Sequence, residues 1–300
     1  MVIRRATERD ALGIREVSAA SLPFEPDAAD VAAVLAQAQA PGTRVALVAE
    51  DGGQVTGIAC GGTGSRRTTP RRGFIDLLAV SPAARGHGTG AALLSAAEDL
   101  LRSAGAEEIW LGGNSPVYAW PGVDPRYTAM TCLAERSGYQ LCREGTNMIV
   151  DLGAVSLDTG ADERRLAADG ITARRAAPGE AAQVVSWLRQ GPWGDSTWPE
   201  EAQRAMTADP PGCHVAVRGE QYLGFACHGV NRRAWFGPTG TLPAEQGHGI
   251  GTALLRRCLA DIAADSHACA QIAWAGPVRF YARAVGARID RLFWIYKKAA

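Results

Sequence analysis

Ser81-Pro82-Ala83-Ala84-Arg85-Gly86-His87-Gly88-Thr89-Gly90-Ala91-Ala92-Leu93-Leu94 has a second version in the same chain, Leu242-Pro243-Ala244-Glu245-Gln246-Gly247-His248-Gly249-Ile250-Gly251-Thr252-Ala253-Leu254-Leu255. The copies stand 161 residues apart (242 − 81), without a gap. Each follows a short apolar run, at 74–80 and 234–236. Each leads into apolar residues at helical spacing: Leu93, Leu94, Ala97, Leu100 and Leu101 in one, Leu254, Leu255, Cys258, Leu259 and Ile262 in the other. Both therefore read as strand, glycine turn, helix. Glycines let successive backbone N–H groups converge on one point, and a helix N-terminus adds unpaired donors and a partial positive charge. Such a turn suits an anion, a pyrophosphate in particular. The plain alternative is a glycine-rich loop that merely opens a helix, and the repetition at one offset weighs against it.

Outward from these turns the halves run in parallel. The first half opens with strand 2–7, helix 9–22 and helix 27–39, the last closed by Pro41-Gly42. Strands 44–50 and 54–60 form a hairpin about Asp51-Gly52-Gly53. A loop at 61–72 carries Arg66, Arg67, Arg71 and Arg72, either a solvated tip or a contact for phosphate or an acidic substrate. Strand 73–80, the glycine turn, helix 88–103 and strand 108–111 follow. The stretch from Gly112 to Pro125 is long, aromatic and stiffened by proline, as functional loops often are, or else it covers the sheet. Helix 127–137 and a closing strand 140–150 complete the unit. The polar stretch 151–170 reads as a connector with a short helix at 162–168. Strand 171–176, helices 178–190 and 198–208, hairpin 215–227, strand 234–241, helix and strand 271–274 then repeat the plan. The expected domains are 1–152 and 171–300, joined by 153–170.

Composition narrows the function classes. The apolar fraction of 47% is ample for packed cores, and a formal net charge of zero argues against a nucleic-acid binder. Only Lys297 and Lys298 are lysines, so the basic charge is almost all arginine. Seven cysteines without a CxxC pair suggest reduced thiols and a cytoplasmic protein. No stretch approaches a membrane span, and Arg4-Arg5 lead into no apolar run of a signal peptide. No metal-ligand spacing stands out, so no metal is expected.

The phosphate motif discriminates further. A P-loop is absent, and G-x-G-x-x-G fails because Ala91 or Leu93 stands at the third glycine position. The pattern met is [QR]-x-x-G-x-[GA], by Arg85…Gly88…Gly90 and by Gln246…Gly249…Gly251. It resembles motif A of the GCN5-related N-acetyltransferases (GNAT), and the likeness covers nearly all of both halves. The resemblance implies an α/β (α+β) fold of two tandem GNAT domains. Each would be a mixed, mostly antiparallel sheet splayed between its fourth and fifth strands and flanked by helices. It implies acetyl-CoA as cofactor, held by backbone at Arg85, Gly86, His87, Gly88, Thr89 and Gly90, and at Gln246, Gly247, His248, Gly249, Ile250 and Gly251. Strand backbone at Leu78, Ala79 and Val80, and at Gly240 and Thr241, would pair with the pantetheine arm.

The implied reaction is direct acyl transfer to an uncharged amine, which calls for a base and for a proton donor to the departing thiolate. Tyr281 matches the family's donor tyrosine, although it stands one residue further than usual from Gly286, and Ala287 replaces the following aromatic. In the first half Ala134 falls at that position, leaving Tyr118 or Tyr127. Asp76 lies on the fourth strand where the family often has a glutamate, and is a base or an ion-paired carboxylate. The second half has no carboxylate there, leaving His228 or an ordered water. The second half is slightly favoured as the working site. Tyr118, Trp120 and Trp235 are candidate acceptor contacts, and Trp187, Trp193 and Trp198 candidate lining or core. The expected acceptor is a small-molecule amine, with neither nucleic acid nor membrane as partner, in a monomer or homodimer. The alternatives are a catalytically silent acyl-CoA-binding module and transfer to a peptide or protein amine.

Overall fold

The computed structural model describes residues 1–37, 44–64 and 69–300. Arg66, Arg67, the expected end of the second helix and Pro41-Gly42 lie outside the described residues. Two compact units emerge, residues 1–145 with 292–300, and residues 146–291.

In chain order the first half holds β1 (Val2–Arg5), α1 (Ala11–Ser21), α2 (Ala28–Gln37), β2 (Arg44–Asp51), β3 (Gln54–Thr63), β4 (Arg72–Val80), α3 (Thr89–Ser103), β5 (Glu108–Leu111), α4 (Thr128–Arg136) and β6 (Gln140–Asp151). The second holds α5 (Gly160–Ala168), β7 (Ile171–Arg175), α6 (Ala181–Gln190), α7 (Trp198–Thr207), β8 (Cys213–Arg218), β9 (Gln221–His228), β10 (Trp235–Thr241), α8 (Ile250–Ala264), β11 (Cys269–Ile272), α9 (Val278–Val285) and β12 (Arg288–Ala299).

In the first unit β1 to β4 pair antiparallel in sequence, with the Asp51-Gly52-Gly53 hairpin in place. Strands β4 and β5 pair in parallel from Arg72/Glu108 to Ile75/Leu111 and then part, the expected splay. A bulge at the parting point carries the site. Cys60 faces Leu77 and Gly61 faces Ile75, so Asp76 is the extra residue. Strict alternation would put Ile75, Leu77 and Ala79 on one face. The bulge instead sends Ile75 into the core under α3, and Leu77 and Ala79 into the core under α1 and α2. Gly61 permits this geometry, because a Cβ there would collide with the Phe74 carbonyl.

The second unit repeats the plan. Strands β7 to β10 pair antiparallel. Strands β10 and β11 pair in parallel only at Trp235/Gln271 and Phe236/Ile272. Here the irregularity between Phe236 and Thr239 holds Gly237-Pro238 and no carboxylate.

The closing strands depart from the expected arrangement. Each was expected to complete its own half. In the first unit, β5 instead pairs antiparallel with the C-terminal end of β12, Lys297 opposite Trp110. In the second unit, β11 pairs with the end of β6, Ile272 opposite Met148. Phe293, Ile295 and Tyr296 are fully buried in the first unit, as Met148 and Val150 are in the second. Each segment opens polar and ends in a continuous apolar run, Met148-Ile149-Val150 in one and Leu292 to Tyr296 in the other, so pattern alone does not choose between them. Residues 153–170, read as a connector, contain α5. Its Leu166 is fully buried in the second unit's core, and Asp162 and Glu163 pair with Arg256 and Arg257 of α8.

Candidate functional site

The glycine turn of the first unit is built as expected. Gly86 and Gly88 adopt φ of +81° and +83°, and Gly88 caps α3 in the left-handed region. The positions where their Cβ atoms would stand have no atom within 4 Å. Among the described residues, the backbone N–H groups of 86–90 find no acceptor. Arg85 folds back, its Nε donating to the Val80 carbonyl at 3.1 Å, where the Ser21 hydroxyl also donates at 2.9 Å. One edge of β4 past Ile75 is free of β5, and an open donor cradle follows it. Leu78, Ala79 and Val80 pair with Ala59, Ile58 and Gly57 on the other side. His87 is exposed and Thr89 buried beside the turn.

Asp76 sits at the mouth of the splay. It is buried, and its Oδ2 accepts from Arg44 Nη1 and Asn114 Nδ2, each at 3.1 Å. Oδ1 is buried without a hydrogen-bond partner among the described residues. Burial pushes the carboxyl up to about 6, against the pull of Arg44 and of the Asn114 hydrogen bonds. A carboxylate with one oxygen anchored and one unsatisfied is arranged to take a proton. Arg44 and Asn114 were not singled out by sequence. The only signal for Asn114 is its place in the Gly112–Pro125 loop just after β5.

Tyr118 and Trp120, on that loop, are each 8% exposed. Trp120 packs with Val117 and Ala119 against the α1/α2 core, and its Nε1 is buried without a partner among the described residues. The loop is both a cover and the carrier of Asn114. Tyr127 packs edge-on against Phe24, and its hydroxyl accepts from the Phe24 N–H at 3.3 Å. Arg72 lies over the Trp110 ring at 4.6 Å, so this member of the arginine loop is engaged within the sheet.

The second cradle has the same backbone, with φ of +90° at Gly247 and +86° at Gly249, but it is covered. A Cβ at Gly249 would collide with the guanidinium of Arg165 on α5, and His248 Nδ1 lies 3.3 Å from Asp169 Oδ2. Ile250 and Gly251 begin α8, with Ile250 buried. Gln246 follows the short turn after Thr241, as Arg85 does in the first unit. An open cleft of about 670 Å³ runs beside this turn, lined by Thr252, Phe280, Arg165, Arg256, Arg279 and Arg283, and by Asp162, which pairs with Arg165 and Arg256. Sequence reasoning missed these arginines.

Tyr281, on α9, is 5% exposed and packs edge-on against Phe236, the last β10 residue paired with β11. Burial alone pushes its hydroxyl up to about 12, so it keeps its proton at neutral pH. On the other face of β10 the Trp193 ring fills the space a Cβ at Gly240 would need. Trp187 and Trp198 gather with it about Phe225 as a partly buried cluster. Trp235 is buried, with Nε1 donating to Gln271 at 3.0 Å. His228 stands opposite Phe236 in the β9/β10 ladder, but its ring is turned to α8. Its Nε2 lies 3.1 Å from Asp261 Oδ2 on α8.

A repeated splayed sheet with a glycine turn capping the following helix defines a GNAT protein, and the sequence matches bear this out. The chain belongs to the acetyltransferase (GNAT) family, which residues 13–119 and 181–287 each match. It is similar to a mycothiol acetyltransferase of Streptomyces scabiei (strain 87.22), 30% identical over 201 residues. That match spans 62% of this chain and 58% of the relative. Among solved structures it resembles a GCN5-related glucosamine N-acetyltransferase region of a fungal multi-domain β-N-acetylglucosaminidase, with TM-score 0.80 and 18% identity over 99% of this chain and 38% of that one. It also resembles a tandem GNAT protein from the clavulanic acid biosynthesis pathway, with TM-score 0.71 and 17% identity over 99% of this chain and 98% of that one. At these identities the structural likeness shows the fold alone. No described helix is long and apolar enough to cross a membrane.

Proposed function

We propose that the chain is an acetyl-CoA-dependent N-acetyltransferase acting on a small-molecule amine, with its principal site in the first unit. The observation that carries this is Asp76, a buried carboxylate at the splay whose Oδ1 has no hydrogen-bond partner among the described residues and whose affinity for a proton is raised. The residues fit the cofactor there. Among the described residues, the cradle over Gly86 and Gly88 is open, its N–H groups lack acceptors, and the edge of β4 past Ile75 lacks a neighbouring strand. Backbone at 85–90 would hold the pyrophosphate, and Leu78 to Val80 the pantetheine arm. Bound acetyl-CoA supplies the activated acyl group as a thioester. Asp76 Oδ1 takes a proton from the arriving ammonium, Arg44 and Asn114 hold the carboxylate in place, and the Gly112–Pro125 loop excludes water. The similar mycothiol acetyltransferase is named for a small molecule, which favours a small acceptor over a peptide. The expected setting is the cytoplasm.

A second reading places transfer in the second unit. Tyr281, buried and protonated beside Phe236, favours it as the proton donor to the departing thiolate. There the arginine cleft would take the phosphates, once Arg165 moves off Gly249 or binds the anion itself.

Calorimetric titration with acetyl-CoA on the wild type, Gly88→Glu and Gly249→Glu separates these readings. A glutamate in a cradle excludes phosphate by bulk and like charge. Loss of binding and turnover in Gly88→Glu alone supports the first unit. Loss in Gly249→Glu alone moves the reaction to the second. A wild type that binds no acetyl-CoA ends the proposal. Binding without acyl transfer to any amine makes the chain an acyl-CoA-binding module.

A further inference from the structure

The second unit holds a cluster that the acyl-transfer reading does not use. His214 is the second residue of β8 and His228 the last of β9. Because His214 pairs with Ala226, the two histidines stand diagonally on one face of the sheet. Their rings are inclined at 29°, with centroids 6.4 Å apart. Helix α8 lays Asp261 across both, so that Asp261 Oδ2 is 2.6 Å from His214 Nε2 and 3.1 Å from His228 Nε2. Arg175 Nη2 holds the other carboxylate oxygen at 2.6 Å. The imidazoles are 2% and 6% exposed, while Asp261 keeps partial access to solvent. Asp261 stands eleven residues (261 − 250) along α8 from its glycine-capped start, about 16 Å at the helical rise.

We propose that His214, His228 and Asp261 form a binding site for a first-row divalent cation of the zinc type. The three ligand atoms already lie within 4.8 Å of one another. Two imidazole nitrogens and one carboxylate oxygen suit Zn²⁺ and its neighbours rather than Mg²⁺ or Ca²⁺. Tetrahedral zinc with bonds of about 2.0–2.1 Å separates its ligand atoms by about 3.3 Å. The two Asp261–histidine spacings of 2.6 and 3.1 Å therefore open by tenths of an ångström when an ion replaces the hydrogen bonds, while the nitrogen–nitrogen spacing, within 4.8 Å, closes toward the same value. Three protein ligands leave a position for water. Arg175 orients the carboxylate from outside but adds a positive charge, and His214 Nδ1 is buried with no partner among the described residues. Both features weaken the site, so it binds its ion reversibly rather than as a permanent structural cage. An ion here would clamp the C-terminal end of α8 to β8 and β9.

The test uses the purified full chain. Equilibrium dialysis against Zn²⁺ with elemental analysis should retain one ion per chain. Co²⁺ in its place should give visible absorption of a low-coordinate nitrogen and oxygen site. His228→Gln and Asp261→Asn should each reduce affinity at least tenfold, while His267→Gln should not. Circular dichroism checks that each variant is folded. If the substitutions prevent folding, the wild type still decides through the Co²⁺ spectrum and its displacement by Zn²⁺. A wild type that retains no ion and gives no Co²⁺ spectrum overturns the proposal, as do folded His228→Gln and Asp261→Asn variants that bind as the wild type does.

Discussion

Phe293→Ala should destabilise the N-terminal part of the chain, more than two hundred residues earlier, and spare the domain-like repeat that immediately precedes it. Phe293 is fully buried and packs among residues under α1 and α2, including Ile14, Val48, Ile58 and Leu77. Removing a buried phenylalanine ring costs about 3–5 kcal/mol, the transfer of the side chain plus the cavity left behind. A domain is stable by only about 5–15 kcal/mol in all, so the loss is a large share. The reciprocal substitution is Met148→Ala, in β6. Met148 is 1% exposed in the second unit's core, with Phe236, Leu254 and Ile272 around it, and its loss costs about 2–5 kcal/mol. Native-state hydrogen exchange with peptide resolution distinguishes the two. Phe293→Ala should lower protection in β2, β3 and β4 with little change in β8 to β10, and Met148→Ala should do the reverse. If each substitution instead loosens the half of the sequence in which it stands, the crossing of the closing strands is wrong.

Other outcomes follow from the site. Between the ordinary carboxyl value of 3.8 and about 6, the folded state binds the Asp76 proton more tightly than the unfolded chain does. Stability should therefore fall as pH rises through that window, by about 3 kcal/mol at most for a shift of this size. Asp76→Asn should flatten this part of the stability curve in urea titrations. If Asp76 is the base, kcat/KM for the amine should rise about tenfold per pH unit below 6 and level off above it, and Asp76→Asn should remove this limb. Gly61→Ala, which drives a methyl into the Phe74 carbonyl beside the bulge, should cost about 1–3 kcal/mol in chemical denaturation. Arg165→Ala should alter acetyl-CoA affinity only if the second cradle is used, and leave it unchanged if Gly88 marks the working site.

Much of the architecture was legible because it is local. Glycine turns, their following helices and the Asp51-Gly52-Gly53 hairpin are dictated by backbone freedom and by apolar periodicity within a few residues. Their repetition at one offset was enough to anticipate two splayed sheets and the family. Asp76 could be placed on β4 in the same way, since a strand's position follows from its own pattern. Its character as a candidate base could not, because that depends on a bulge set by Gly61 in the neighbouring strand, and on Arg44 and Asn114 arriving from 32 and 38 residues away. Three other features were decided only by the tertiary fold. The closing strands 140–151 and 288–299 carry interchangeable patterns, so each unit's partner was chosen by long-range packing of Phe293, Tyr296 and Met148. Arg165 covers Gly249 because Leu166 anchors α5 in the second core. His214, His228 and Asp261, scattered over forty-eight positions of sequence, meet only where two paired strands lie under one helix.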